Sequence, residues 1–174
     1  KKVNLAGRIG MSLEPADLDF PRQLEHLKEL GTIPVLLRFG HHEGRAQWEK
    51  TVSHLNELHE RGHEIMVAIL QDRRAVYDPE SWKEFLEYVL GEIDGKVAMV
   101  ELCHVVNRMK WGIRTLSEHT QLLAPVVELG TKYPAIKFSG PACIDFECHY
   151  LIASLNATPS GLHYDALSHH LYVD

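Results

Sequence analysis

The chain has 174 residues, enough for one domain that buries roughly 70% of the surface its unfolded form exposes. Hydrophobic residues make up 45% and charged residues 24%, which excludes a disordered or fibrous chain, and no apolar run approaches the roughly 18 residues needed to cross a bilayer. A net charge of −6, with 18 basic residues scattered among 24 acidic ones, argues against a nucleic-acid partner, which needs clustered Lys and Arg.

Short β-rich or apolar runs at residues 3–6, 33–38, 65–70, 97–102, 135–139 and 166–172 read as strands, spaced about 30 residues apart as in βα units. After the first, "DFPRQLEHLKELG" predicts a helix: Phe20, Leu24 and Leu27 share a face, Asp19 can cap it, Pro21 suits the first turn and Gly31 stops it. "WEKTVSHLNELHERG" repeats the design with Trp48, Val52 and Leu55, ending at Gly62. After the third strand, "YDPESWKEFLEYVLG" has Asp78 as cap, Pro79 in the first turn and Trp82, Phe85, Leu86 and Val89 as its apolar stripe. "SEHTQLLAPVVELG" follows the fourth strand as a helix that Pro125 either kinks or divides, and a further helix is expected around residues 149–155. Cys103, Cys143 and Cys148 lack metal-type spacing and lie in or beside apolar stretches, so they read as buried free thiols of a reducing compartment. The opening "KKVNLAG" has neither Met nor a signal-peptide pattern, so a start inside a longer natural polypeptide, in preference to one left by processing, and a cytoplasmic location are expected.

No linker, low-complexity tract or charge block divides residues 1–174, and a single α/β domain is expected. Strands that are apolar without clean alternation are buried on both faces and pair in parallel through right-handed crossovers. An open doubly wound sheet and a (β/α) barrel both fit that pattern. The former usually carries a Gly-rich phosphate loop after its first strand, whereas "NLAGRIGMSL" holds only Gly7 and Gly10 in the wrong arrangement. Polar residues instead gather after each strand, as on the catalytic face of a barrel. The expected architecture is therefore a TIM (β/α)8 barrel of which this chain holds about six βα units, with the two strands needed for closure lying beyond Asp174.

The strand ends supply the candidate chemistry: Arg38, His41 and His42 after the second; Gln71, Asp72 and Arg73 after the third; Glu101, His104, Asn107 and Arg108 after the fourth. The fifth is followed by Ser139, Asp145 and Glu147, and the sixth carries Ser168, His169, His170 and Tyr172. Hydroxyl-binding groups, aromatic platforms and carboxylates in one ring suit a carbohydrate. Arg38 can hold a carboxylate by a bidentate contact or form an ion pair beneath the site. His41 and His42, in "FGHHEGR", could bind hydroxyls but read first as solvated residues. His169 and His170 are adjacent in a strand, so only one of them can face the mouth. Trp111 can stack on a sugar ring or anchor its own loop. Glu101, inside an apolar strand, has to be paired, hydrogen-bonded or proton-shifted, and structural support is its first reading. Asp72, Glu101 and Asp145 with a His could hold a divalent metal, but no H-x-H spacing is present and no cofactor is expected. Nor is there a G-x-S-x-G or Cys–His signature of a nucleophile.

The segments "ELCHVVN" from Glu101, "SGPA" from Ser139 and "SHHLY" from Ser168, together with Arg38, resemble in order and spacing the clan A glycoside hydrolases, particularly the β-xylosidase and iduronidase-type branch. Those barrels carry E-x-W-N-E-P-N at the fourth strand, a G-G-P-A turn after the fifth and S-x-H-x-Y on the sixth. The resemblance implies a hydrolase acting on a polysaccharide or glycoconjugate, with Arg38, Asn107, Trp111, His169 and Tyr172 lining the sugar site and His104 beside the reacting centre. It departs from the pattern at the decisive position, because Val105 stands where the general acid/base Glu belongs. A positioned acid contributes roughly 10²–10⁴-fold, and Val supplies none of it. The family's nucleophile, a Glu on a seventh strand, would fall beyond Asp174, so in an active enzyme His104 or Glu101 has to carry the proton transfer. "ELCHVVNRMKWG" followed by "DALSHHLYVD" also looks like a group of bacterial glycosyl hydrolase-like proteins whose acid position is likewise not Glu. A catalytically silent carbohydrate-binding barrel and a metal-dependent sugar isomerase or hydrolase are the alternative expectations.

Overall fold

The computed structural model describes residues 9–16 and 18–171. The strand expected at residues 3–6 lies outside them. Strands and helices alternate as β1 (Met11–Ser12), α1 (Phe20–Leu30), β2 (Val35–Gly40), α2 (Arg45–Glu60) and β3 (Ile65–Leu70), continuing with α3 (Arg73–Tyr77), α4 (Pro79–Ile93), β4 (Met99–Leu102) and α5 (Leu116–Lys132). The last part holds β5 (Phe138–Ser139), β6 (Cys143–Ile144), α6 (Cys148–Asn156) and β7 (His169–His170).

The helices form where the apolar stripes lie. Phe20, Leu24 and Leu27 are the buried positions of α1, and Trp82, Phe85, Leu86 and Val89 are buried in α4, where the Asp78 carboxylate accepts a hydrogen bond from the Ser81 amide. α5 runs through Pro125 undivided, between a Thr115 cap and Tyr133. Two expectations change in scale. The fifth strand is two residues long, followed by a separate β6, and the sixth shrinks to β7 plus a single parallel bridge between Ser139 and Ala166.

β1 to β5 form one parallel sheet in strictly sequential order, and β6 pairs in parallel with β7. A doubly wound sheet reverses its strand order at a switch point. Here the order never reverses, so same-handed crossovers stack the helices on one face only. The burial pattern agrees. Val35, Leu37, Phe39, Val67, Ile69, Val100 and Leu102 enter the core shared with the helices. Of their alternates on the opposite face, outside that core, Leu36, Arg38, Met66 and Met99 are half-exposed, whereas Ala68, Leu70 and Glu101 are buried. Among the described residues the sheet does not close into a barrel; what stands is an α/β fold with one helix-covered face and one open face.

Candidate functional site at the ends of β4 and β7

Register places one row of residues across the open face: Arg38 pairs with Ala68, Ala68 with Glu101 and Glu101 with Ser139. At about 4.8 Å per strand, Arg38 and Glu101 stand about 10 Å apart, with only the methyl group of Ala68 between them. No ion pair joins them. Among the described residues Arg38 has no hydrogen-bond partner, and its Nε is buried, as is the unpartnered hydroxyl of Ser139.

Glu101 is only 5% exposed. The His170 Nε2–H donates to its Oε1 at 3.2 Å, and His104 Nδ1 lies 3.5 Å from the same oxygen. Burial alone would raise the Glu101 carboxyl, but the two imidazoles outweigh it and hold the group down at about 2. It is therefore an ionised carboxylate at neutral pH and a poor proton donor.

The backbone presents His104 by an unusual turn. Cys103 and Val105, the residues on either side, have φ of 61° and 45°, in the left-handed region that β-branched residues avoid at a cost on the order of 1–3 kcal/mol. Gln71, at the end of β3, offsets that strain. Its amide donates to the carbonyls of His104 and Trp111, and its carbonyl oxygen accepts from the His104 amide at 2.8 Å. The Trp111 ring meets His104 edge to face at 4.5 Å, and His170 meets it at 4.8 Å. Burial pushes the adjacent Cys103 thiol up to about 12, so it remains protonated beside this group.

Other expected site residues fall elsewhere. Asn107 donates to the Ile144 carbonyl and to Glu147 and accepts from the Ile144 amide, so it fastens the loop after β4 to β6 and has no amide group to spare for a ligand. Of the histidine pair, His170 faces Glu101 while His169, the expected sugar contact, is exposed. Tyr172 lies outside the described residues. Val105 is 2% exposed and packed, which makes it a structural residue where the resemblance placed the acid. Asp72 and Asp145, weighed as metal ligands, are engaged by His41 and Arg108. Cys148 is exposed, unlike Cys103 and Cys143.

His41 is buried rather than solvated. Its Nδ1–H donates to Asp72 at 2.9 Å, which leaves Nε2 to accept from the Ser81 hydroxyl at 3.0 Å, while Trp82 and Phe85 enclose the ring. This chain of contacts pins the ends of β2 and β3 to the start of α4. His42 alone is exposed. The residue that sequence reasoning undervalued most is Gln71, whose signal was a lone amide directly after an uninterrupted apolar strand.

A scan against protein-family models found no match, and a search among curated proteins found none at a significant level.

Proposed function

We propose that this chain is a glycoside hydrolase-like (β/α)-barrel unit whose open sheet face, at the C-terminal ends of its strands, binds the sugar of a polysaccharide or glycoconjugate. One observation carries the reading. The uncovered face of a one-sided parallel sheet bears a row of buried or half-buried polar groups, Arg38, Glu101 and Ser139, separated by the small Ala68, with two of them lacking partners among the described residues. Buried polar atoms without partners are costly, and a hydroxyl-rich ligand would supply those partners. The aromatic edge of the site is Trp111, half-exposed beside His104. No helix in the described chain is long and apolar enough to cross a membrane.

Any proton transfer runs through the Glu101–His104–His170 group, because Val105 has no proton to give and Glu101 is held ionised. Catalysis in this reading uses Glu101 as a charge stabiliser.

The test is oligosaccharide binding by calorimetry, together with turnover of aryl β-glycosides. Binding that weakens about tenfold or more in both Arg38→Ala and Trp111→Ala, roughly 1.4 kcal/mol each, supports the reading. Binding to no glycan, or binding indifferent to both changes, refutes it. Binding without turnover, unchanged by His104→Ala, assigns the chain to recognition rather than hydrolysis.

A further inference from the structure

We infer that Glu101, His104 and His170 form a binding site for one divalent transition-metal ion, of which Zn²⁺ is the best fit. Two imidazole nitrogens and one carboxylate oxygen are the donor set of three-ligand catalytic zinc sites, which leave a fourth position open. Among the described residues this is the group whose candidate ligand atoms converge, all lying within 4.8 Å of one another.

Two of the three edges match the spacing of ligands around one ion. With bonds of about 2.0–2.1 Å, tetrahedral ligand atoms stand roughly 3.3–3.4 Å apart. The two separations from Glu101 Oε1 are 3.2 and 3.5 Å. The second is long for a hydrogen bond, so His104 Nδ1 is buried with no hydrogen-bond partner, facing the carboxylate through a charge contact alone. The third edge, between His104 and His170, lies within 4.8 Å, and His170, its side chain 19% exposed, is the less buried of the two.

The ligands are also held from separate directions. Glu101 sits in the register of a parallel sheet, His104 is fixed through its backbone by Gln71, and His170 is carried by β7. Such support is what a metal site needs to keep its geometry before the ion arrives. No Lys or Arg side chain among the described residues lies within 4 Å of Glu101, so the two imidazoles are its only counter-groups. The sequence hid this set because the usual metal spacings place two ligands on one helix or strand, whereas here they come from a strand, the turn after it and a strand 69 residues further on. A bound ion would supply Lewis-acid activation of water or of a sugar oxygen, chemistry that Val105 cannot supply.

The experiment uses metal-free protein and no sugar, so its failure and the failure of carbohydrate binding are separate results. Co²⁺ is titrated while visible absorption is followed, then displaced by Zn²⁺, with bound metal measured by elemental analysis. One equivalent is expected. His170→Ala should weaken affinity by more than the roughly 10–100-fold seen on losing a supporting residue, whereas His169→Ala, its exposed neighbour, should leave it unchanged. Should His170→Ala fail to fold, the wild-type protein still decides: in proton NMR two of its 12 histidine rings should respond to the first equivalent of Zn²⁺. Absence of binding at tenfold metal excess, equal affinity in wild type and His170→Ala, or a response confined to other histidines would overturn the assignment.

Discussion

Glu101 shows how one side chain sets the terms for its neighbours. A carboxylate that is 5% exposed is stable only if its charge is answered, and His104 and His170 answer it. Its folded value of about 2, below the ordinary 4.5, fixes the sign of the pH dependence. The unfolded chain takes up the proton first, so the stabilisation is complete above about pH 4.5 and is lost as pH falls through the interval down to about 2. Glu101→Gln should therefore lower stability by up to about 3 kcal/mol at pH 5 in metal-free buffer. Urea unfolding of both proteins at pH 5 and pH 2.5 checks this: the gap between them should narrow at the lower pH, and a constant gap would count against the imidazole contacts. The sequence showed that this carboxylate needed partners. It could not show which ones, because adjacent residues in a strand point to opposite faces and the choice between His169 and His170 depends on register with β6, which no local pattern encodes.

Among the elements, the turn from Cys103 to Gly112 decides the site. It ends at Gly112, with φ of 97°, where an added Cβ would lie 2.4 Å from the Asp72 carbonyl carbon and 2.6 Å from the Arg73 nitrogen. Gly112→Ala should thus cost more than about 1 kcal/mol and loosen the loop that seats Trp111 against His104. A thermal melt coincident with wild type would be the contrary result. The long helices were legible because each carries an apolar stripe with a start signal, as at Asp78–Pro79 and in the Phe20, Leu24, Leu27 series. α3 was not legible, since five residues are too few for periodicity to register and its start rests on the Asp72 side chain accepting from the Ala75 amide. β5 and β7 were overestimated for a related reason: their apolar composition continues beyond the residues that find a partner.

Across the whole molecule, pairing is uneven. β2 and β3 share six register pairs and β3 and β4 four, whereas β4–β5 and β6–β7 share two each. Amide hydrogen exchange should follow that gradient, slowest at Leu37, Val67 and Ile69 and markedly faster around β7, and uniform protection would contradict it. The repeating βα plan was visible in the sequence as apolar runs at regular intervals. The choice between a one-sided and a two-sided sheet rested in the sequence only on the missing Gly-rich loop and the polar strand ends, because both architectures need the same apolar strands and spatial order alone separates them. The Gln71 latch, finally, rests on the chemistry of one buried amide. Deamidation of this one side chain would set an anionic oxygen against the carbonyls of His104 and Trp111, where an NH₂ group now donates to both. A lesion of about one mass unit, too small to leave a cavity, would then push apart two strand ends that mutation of a bulky core residue need not disturb.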